Sequence, residues 1–226
     1  IGASPNESTL SGTGESSTDW QEYTPEAVGR DMLALVDRLG GGPALLGGCS
    51  MAAASAAWAA LTAPNKVAGL IFFGPSLHAG ALSLSQRSAM TLGFAGPWRV
   101  RFWDMFFGTL FPERKPEDLE EYRGRLRENL AEPNRMEALR SFIYASKAAI
   151  SQRLDEVAVP TLVIMGGRDP DFSDPAAQAA EDAALVHGEA VVLAEAGHYP
   201  QADSPEESAV AILKWIANKA PVFLPQ

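Results

Sequence analysis

The chain has 226 residues, of which 46% are hydrophobic and 20% are charged, so it can bury the core of one large α/β domain or of a core domain with an insertion. Its formal net charge of −10 argues against nucleic acid and anionic membranes as partners. Cys49 is the single cysteine, which excludes an intrachain disulfide and a metal site built from cysteines and favours a cytoplasmic location.

The first part of the chain predicts a helix followed by two strands with a second helix between them. Residues 1–20 are polar and read as a loop, after which Thr24 and Pro25 are typical of a helix start and Gly40 of its end. Two apolar runs predict buried strands on either side of an alanine-rich helix. These three elements are Ala44–Gly47, Met51–Leu61 and Val67–Phe73.

The next stretch, Ser76–Leu154, contains no convincing strand pattern and predicts an inserted helical region. Its helical patterns are Gln86–Leu92, Trp98–Leu110, Pro116–Leu130 and Asn134–Arg153. This stretch also holds most of the aromatic residues, which we expect to pack against each other first. A sharper hypothesis is that Trp98, Trp103 and Phe106 line a ligand cavity.

The remaining chain returns to alternating strands and helices. The predicted strands are Thr161–Met165 and Ala190–Leu193; Asp174 begins a helix that runs to about His187, and a capping box at Ser204 begins a last helix that runs to about Ala217. Strands that alternate with helices predict a mostly parallel sheet flanked by helices. The sequence therefore predicts an α/β core over residues 1–75 and 155–226, with a helical cap inserted over residues 76–154.

A sharp strand–turn–helix is predicted at the end of the first strand, with Ser50 at its tip. A nucleophile elbow requires small residues two positions before and after the nucleophile, and Gly48 and Ala52 meet that requirement. The alternative frame, with Cys49 at the tip, would place the bulky Met51 at the second of these positions. The pattern therefore favours Ser50, and Cys49 is expected to be a small buried neighbour.

Two further motifs follow predicted strands, at the edge of an open α/β sheet where ligands bind. Asp169 and Asp171 come after the strand that ends at Met165, and His198 comes after the strand that ends at Leu193. A serine hydroxyl needs a base to remove its proton, and the imidazole that serves as base needs a carboxylate to fix its tautomer. The order Ser, Asp, His is that of a hydrolase with this chemistry.

Over roughly Ser11 to Ala217 the chain resembles the α/β-hydrolase superfamily, specifically the esterase-like members with a helical cap. The turn around Ser50 is similar to the family's Gly-x-Ser-x-Gly elbow, with Ala52 in place of the last glycine. The segment Ser11–Ser16 is similar to the family's Arg-Gly-His-Gly-x-Ser loop, with the arginine and the histidine replaced. The inserted helical region corresponds to the family's cap.

This resemblance implies a serine hydrolase that cleaves a carboxylic ester or a related acyl compound without a metal or an organic cofactor. Ser50 would be the nucleophile, Asp169 rather than Asp171 the acid, and His198 the base. The backbone N–H of Met51 would hold part of the oxyanion. His78 follows a predicted strand end, where it either faces the substrate or lies in a surface loop.

The resemblance also implies strands and an oxyanion loop earlier than Ser11, which this sequence does not show. The strand Ala44–Gly47 is apolar on both faces, yet it would lie at the edge of the sheet. We therefore expect further N-terminal residues, a homodimer or a second chain to cover this edge. An incomplete oxyanion hole would instead be consistent with a non-hydrolytic protein that binds a ligand or serves in biosynthesis.

Overall fold

The computed structural model describes residues 11–78 and 84–219 of the chain. Its four strands are β1 Ala44–Cys49, β2 Val67–Phe73, β3 Thr161–Gly166 and β4 Glu189–Leu193. The helices before β3 are α1 Pro25–Leu39, α2 Ala52–Thr62, α3 Leu84–Phe94, α4 Arg99–Thr109, α5 Leu119–Ala131, α6 Arg135–Tyr144 and α7 Ala148–Ser151. The helices around the last strand are α8 Pro175–Leu185, α9 Pro200–Asp203 and α10 Pro205–Asn218.

The four strands form one parallel sheet in the order β1-β2-β3-β4, with helices packed on it, so the predicted α/β fold class is confirmed. Because successive strand residues point to opposite faces, each face of the sheet has its own core. Phe72, Val163 and Met165 pack on the side of α2 and α8. Leu162 and Ile164 pack on the other side, against Trp215 of α10.

Local sequence signals set the ends of several helices. The Thr24 hydroxyl accepts a hydrogen bond from the Ala27 amide at 3.1 Å, and Gly40 ends α1 in the left-handed conformation with φ of 66°. The carboxylate of Asp174 likewise accepts from the Ala177 amide at 2.9 Å and caps α8. The predicted start and end of α1 and the cap of α8 are confirmed.

Two predictions about helices are wrong. The stretch Asn134–Arg153 is not one helix, because α6 ends at Tyr144 and the chain is extended at Ala145 before α7 begins. Ser204 precedes α10, but its side chain makes no capping hydrogen bond. Its hydroxyl instead accepts from the Arg114 guanidinium at 3.2 Å, so a contact with the segment between α4 and α5 replaces the local cap.

Strand β1 lies at the edge of the sheet in the described part of the chain, because it pairs with β2 alone. Its Leu45 side chain is 36% exposed and Gly47 is exposed as well, although both belong to an apolar run. The edge position of Ala44–Gly47 is therefore confirmed. That further residues or a second chain cover this edge stays a prediction.

Across residues 11–78 and 84–219, no helix has both the length and the apolar character needed to cross a membrane.

Candidate active site

The register of the parallel strands brings their carboxyl ends to one edge of the sheet. Cys49 pairs with Phe73, Phe73 with Ile164, and Ile164 with Val191. The turns that follow β1, β3 and β4 therefore start side by side. These three turns carry Ser50, Asp169 and His198 respectively, which is the arrangement expected from the sequence.

Ser50 occupies a strained turn between β1 and α2. Its φ of 52° lies in the left-handed region that residues other than glycine rarely adopt. The turn is held by the Ser50 amide, which donates to the Phe73 carbonyl at 2.9 Å, and by the Ser50 carbonyl, which accepts from the amides of Ala53 at 3.2 Å and Ser76 at 3.1 Å. A side chain at Gly48 would place its Cβ 2.6 Å from the Ala52 carbonyl oxygen, so the turn requires glycine there.

Asp169 and His198 form a buried pair across the turns after β3 and β4. Nδ1 of His198 lies 2.8 Å from Oδ2 of Asp169, and each residue is 2% exposed. The other carboxylate oxygen of Asp169 accepts from the Asp171 amide at 3.0 Å, which orients the carboxyl group. The side chain of Asp171 is farther from the histidine, with Oδ2 3.7 Å from Nδ1, and is 39% exposed. The geometry therefore supports Asp169 over Asp171 as the partner of His198.

Neighbouring backbone fits closely around this pair. A Cβ on Gly74, which has φ of 46°, would lie 2.7 Å from the carbonyl oxygen of His198 and 3.2 Å from Oδ2 of Asp169. A Cβ on Gly166 would lie 1.9 Å from the carbonyl oxygen of Gly197. Glycines at these positions let the three strand ends approach each other and fix the relative position of acid and base.

Two further contacts anchor the turn that carries His198. Its amide donates to the Leu110 carbonyl at 3.0 Å, which ties the turn to the end of α4. The amide of Gly197 donates to Oδ2 of Asp203 at 2.7 Å, and Asp203 is itself only 8% exposed. Asp203 carries no signal in the sequence, because this contact depends on a turn geometry that no local motif marks.

The pKa of His198 is the result of opposing effects. Burial alone lowers the pKa, but the hydrogen bond that His198 donates to Asp169 and the charges of Asp169 and Asp171 outweigh burial and raise the pKa above its ordinary value. The imidazole is thus a stronger base than a free histidine. The neighbouring thiol of Cys49 is different, since burial raises its pKa to about 12 and keeps it protonated at neutral pH.

Ser50, Met51 and His198 line one cavity of about 2030 Å³, whose wall also includes residues of the helices between β2 and β3. Of the predicted substrate-binding residues, His78, Trp103 and Phe106 line this cavity. Its wall also includes the aromatic side chains of Phe102, Phe107, Phe142 and Tyr144.

Trp98, also predicted to bind substrate, is not among the residues that line this cavity. Its side chain is 54% exposed, and its indole N–H donates to the Leu92 carbonyl at 2.9 Å outside the cavity wall. Trp98 precedes α4, where the helical pattern gave no information about the direction of the ring.

Several polar residues of the cavity wall were not foreseen: Ser76, Lys147, Gln178, Asp182 and Gln201. Lys147 lies where the chain breaks between α6 and α7, inside the stretch predicted as one helix. A signal was present there, because serine favours chain breaks, and the Ser146 hydroxyl just before α7 accepts a hydrogen bond from the Ala148 amide at 3.3 Å. Asp182 belongs to α8, and its side chain accepts from Gln178 at 3.1 Å.

Asp169, Asp171 and His198 also place potential metal-ligand atoms within 4.8 Å of one another. In this group Nδ1 of His198 already faces Oδ2 of Asp169 at hydrogen-bond distance. That contact orients the imidazole so that Nε2 is left for proton transfer. We therefore interpret the group as an acid–base pair.

A family model described as the alpha/beta hydrolase fold matches residues 10–205. The chain is 28% identical over 199 residues to 3-oxoadipate enol-lactonase 2 of Acinetobacter baylyi, a match that covers 86% of this chain and 72% of that protein. A bromoperoxidase from Bacillus anthracis has a similar structure, with a TM-score of 0.74, 20% identity and coverage of 92% of this chain and 79% of that chain. An esterase from Thermogutta terrifontis is also similar, with a TM-score of 0.68, 24% identity and coverage of 92% and 78%.

Proposed function

We propose that this chain, which belongs to the alpha/beta hydrolase fold family, is a serine hydrolase that cleaves a carboxylic ester or a related acyl compound such as a lactone. The observation that carries the proposal is the buried pair of Asp169 and His198, 2.8 Å apart, in a cavity that Ser50 also lines. The relative named 3-oxoadipate enol-lactonase 2 supports the inclusion of lactones. The free thiol of Cys49 is consistent with a reducing compartment, and we expect the enzyme to work in the cytoplasm.

In the proposed reaction, Nε2 of His198 accepts the proton of the Ser50 hydroxyl as its oxygen attacks the substrate carbonyl. Nδ1–H of His198 donates to Asp169, which stabilises the imidazolium that forms. The Met51 N–H, at the start of α2, donates to the developing oxyanion. The imidazolium then gives its proton to the leaving oxygen, and an acyl group remains on Ser50.

Water releases the acyl group in the second half of the reaction. His198 takes a proton from the water as its oxygen attacks the acyl carbonyl, and returns that proton to the Ser50 oxygen as the acid departs. The raised pKa of His198 matches a residue that must accept a proton in each half. The apolar and aromatic wall of the cavity would hold the hydrocarbon part of the substrate.

The test compares hydrolysis of 4-nitrophenyl butyrate by the wild-type enzyme and by Ser50→Ala, His198→Ala and Asp169→Asn. We expect kcat to fall on the order of 10⁴ or more in each variant, because the three groups act as a unit. Cys49→Ala is the matched control, since it alters the neighbouring side chain, and should keep most of the activity. Full activity in Ser50→Ala, or its loss in Cys49→Ala alone, would contradict the proposal, and ligand binding without turnover would favour a non-hydrolytic protein.

A further inference from the structure

One lysine, Lys147, lies in the described wall of the cavity close to Ser50. Its Nζ donates to the Ser76 carbonyl oxygen at 3.0 Å and to the Ser76 hydroxyl at 2.5 Å. The amide of Ser76 in turn donates to the Ser50 carbonyl at 3.1 Å. The ammonium group is therefore connected to the elbow through a single residue.

Lys147 is half-buried, and within the described residues no carboxylate lies at ion-pair distance from it. The other lysines and arginines of this part of the chain that lack an ion pair are exposed, namely Arg38, Arg101, Lys115, Arg140 and Lys214. A partly desolvated cation usually has an anionic partner, because neutral oxygens replace only part of its hydration. Burial accordingly lowers the pKa of the Lys147 ammonium.

Within the described residues, the carboxylates of the cavity wall make their contacts to groups other than Lys147. Asp31 accepts from the Ser11 hydroxyl, and Asp171 faces the ring of His198 at 3.7 Å. Oδ1 of Asp182 accepts from the Gln178 amide at 3.1 Å and lies 3.6 Å from Nε2 of His78, while its buried Oδ2 has no hydrogen-bond partner among the described residues. An ammonium has three donors, and Ser76 supplies acceptors for two of them. One donor and the whole positive charge of Lys147 are thus available to a ligand in the cavity.

We propose that Lys147 binds a carboxylate group carried by the substrate, so that the enzyme prefers esters or lactones that retain a free carboxylate a few bonds from the scissile carbonyl. This inference rests on the proposed hydrolysis for its kinetic consequence, but the binding of a carboxylate does not depend on it. A single ammonium with one free donor suits a monoanion, which supplies both a counter-charge and an acceptor. The aromatic wall leaves room for the apolar chain between the two groups.

The kinetic test uses 4-nitrophenyl hydrogen glutarate and its methyl ester, which differ in the negative charge. We expect the wild-type enzyme to favour the acid, and Lys147→Gln to lower the ratio of kcat/KM for the acid to kcat/KM for the methyl ester by roughly ten- to a hundredfold. Lys147→Arg should keep the preference, since it keeps the cation. Lys214→Gln removes the same charge at an exposed position outside the cavity and should leave both substrates unchanged.

Two kinetic outcomes would overturn the inference. An equal loss for both substrates would mean that Lys147 only positions Ser76 and the elbow. If Lys147→Gln still prefers the acid over the methyl ester as strongly as the wild type does, another group recognises the substrate carboxylate. Hydrolysis of the methyl ester by Ser50 would in both cases leave the proposed function standing.

Binding measured by calorimetry separates the inference from catalysis. Ser50→Ala should bind monomethyl glutarate at least tenfold more tightly than dimethyl glutarate, and the additional change Lys147→Gln should remove the difference. If neither nitrophenyl ester is hydrolysed but this difference is found, the proposed function fails and the carboxylate site stands. Equal affinities for the two glutarates in Ser50→Ala would refute the site.

Discussion

A single methyl group at Gly74 tests how tightly the end of β2 packs against the acid–base pair. In Gly74→Ala the new Cβ would lie 2.7 Å from the carbonyl oxygen of His198 and 3.2 Å from Oδ2 of Asp169. Either the turn of His198 or the end of β2 must then move. Gly40→Ala is a matched control, because Gly40 also has a positive φ, at 66°, but its Cβ would meet nothing within 4 Å.

Both substitutions introduce backbone strain at a positive φ, but only Gly74→Ala also introduces a steric clash. Alanine in the left-handed region costs about 1–2 kcal/mol at either position. Overpacking at Gly74 adds about 1–3 kcal/mol, so Gly74→Ala should lower the free energy of unfolding by about 2–5 kcal/mol and Gly40→Ala by about 1–2 kcal/mol. Displacing the base by about 1 Å should also lower kcat/KM of Gly74→Ala by about a hundredfold, while Gly40→Ala keeps wild-type activity.

Urea unfolding followed by tryptophan fluorescence measures the stability of both variants, and hydrolysis of 4-nitrophenyl butyrate measures their activity. The reasoning is refuted if Gly74→Ala is no less stable than Gly40→Ala and retains full kcat/KM. It is also refuted if Gly40→Ala loses activity, because backbone strain at a distant site would then account for both results.

Three further predictions concern the surroundings of the site. Asp171→Asn removes a charge that raises the pKa of His198, so the acid limb of the kcat/KM–pH profile, which needs neutral imidazole, should move to lower pH. Asp203→Ala leaves the buried Gly197 amide without its acceptor, and urea unfolding should show a loss of about 1–3 kcal/mol together with a lower kcat. Asp104→Ala removes, from α4, the acceptor of the Arg123 and Arg127 side chains on α5 and should cost about 2 kcal/mol of unfolding free energy.

Each of these predictions has a contrary outcome, and the last two also have a control variant. An acid limb that stays in place or moves to higher pH in the first variant would contradict the assigned charge effect. Asp203→Asn keeps an acceptor oxygen and should recover most of the lost kcat; failure to do so would contradict the anchoring role of Asp203. Glu121→Ala breaks an exposed pair with Arg125 and should cost under about 0.5 kcal/mol; an effect as large as that of Asp104→Ala would contradict the importance of burial.

The sequence alone predicts those features of the fold that are determined by adjacent residues. The ends of α1 follow from Thr24 and Gly40, and β2 follows from the apolar run Val67–Phe73, since capping and burial are properties of adjacent residues. Parallel strands also have their carboxyl ends at one edge, so the neighbourhood of Ser50, Asp169 and His198 could be predicted once the strands were identified.

The sequence does not predict features that depend on a contact with a distant part of the chain. The break at Ala145 interrupts a helical pattern, and Lys147 there turns to Ser76, a partner far away in the chain. Ser204 is a residue type that commonly caps helices, but its hydroxyl accepts a hydrogen bond from Arg114, which is distant in the chain. The direction of the Trp98 ring is likewise set by the Leu92 carbonyl, which helical periodicity does not reveal.

The account depends most on Ser50 as the reactive residue, and peptide mapping after treatment with a fluorophosphonate tests this directly. Mass spectrometry should find one phosphonyl adduct on the peptide that contains Ser50, absent in Ser50→Ala and much slower to form in His198→Ala. An adduct on Cys49 or another residue, or none while ester hydrolysis continues, would contradict the account.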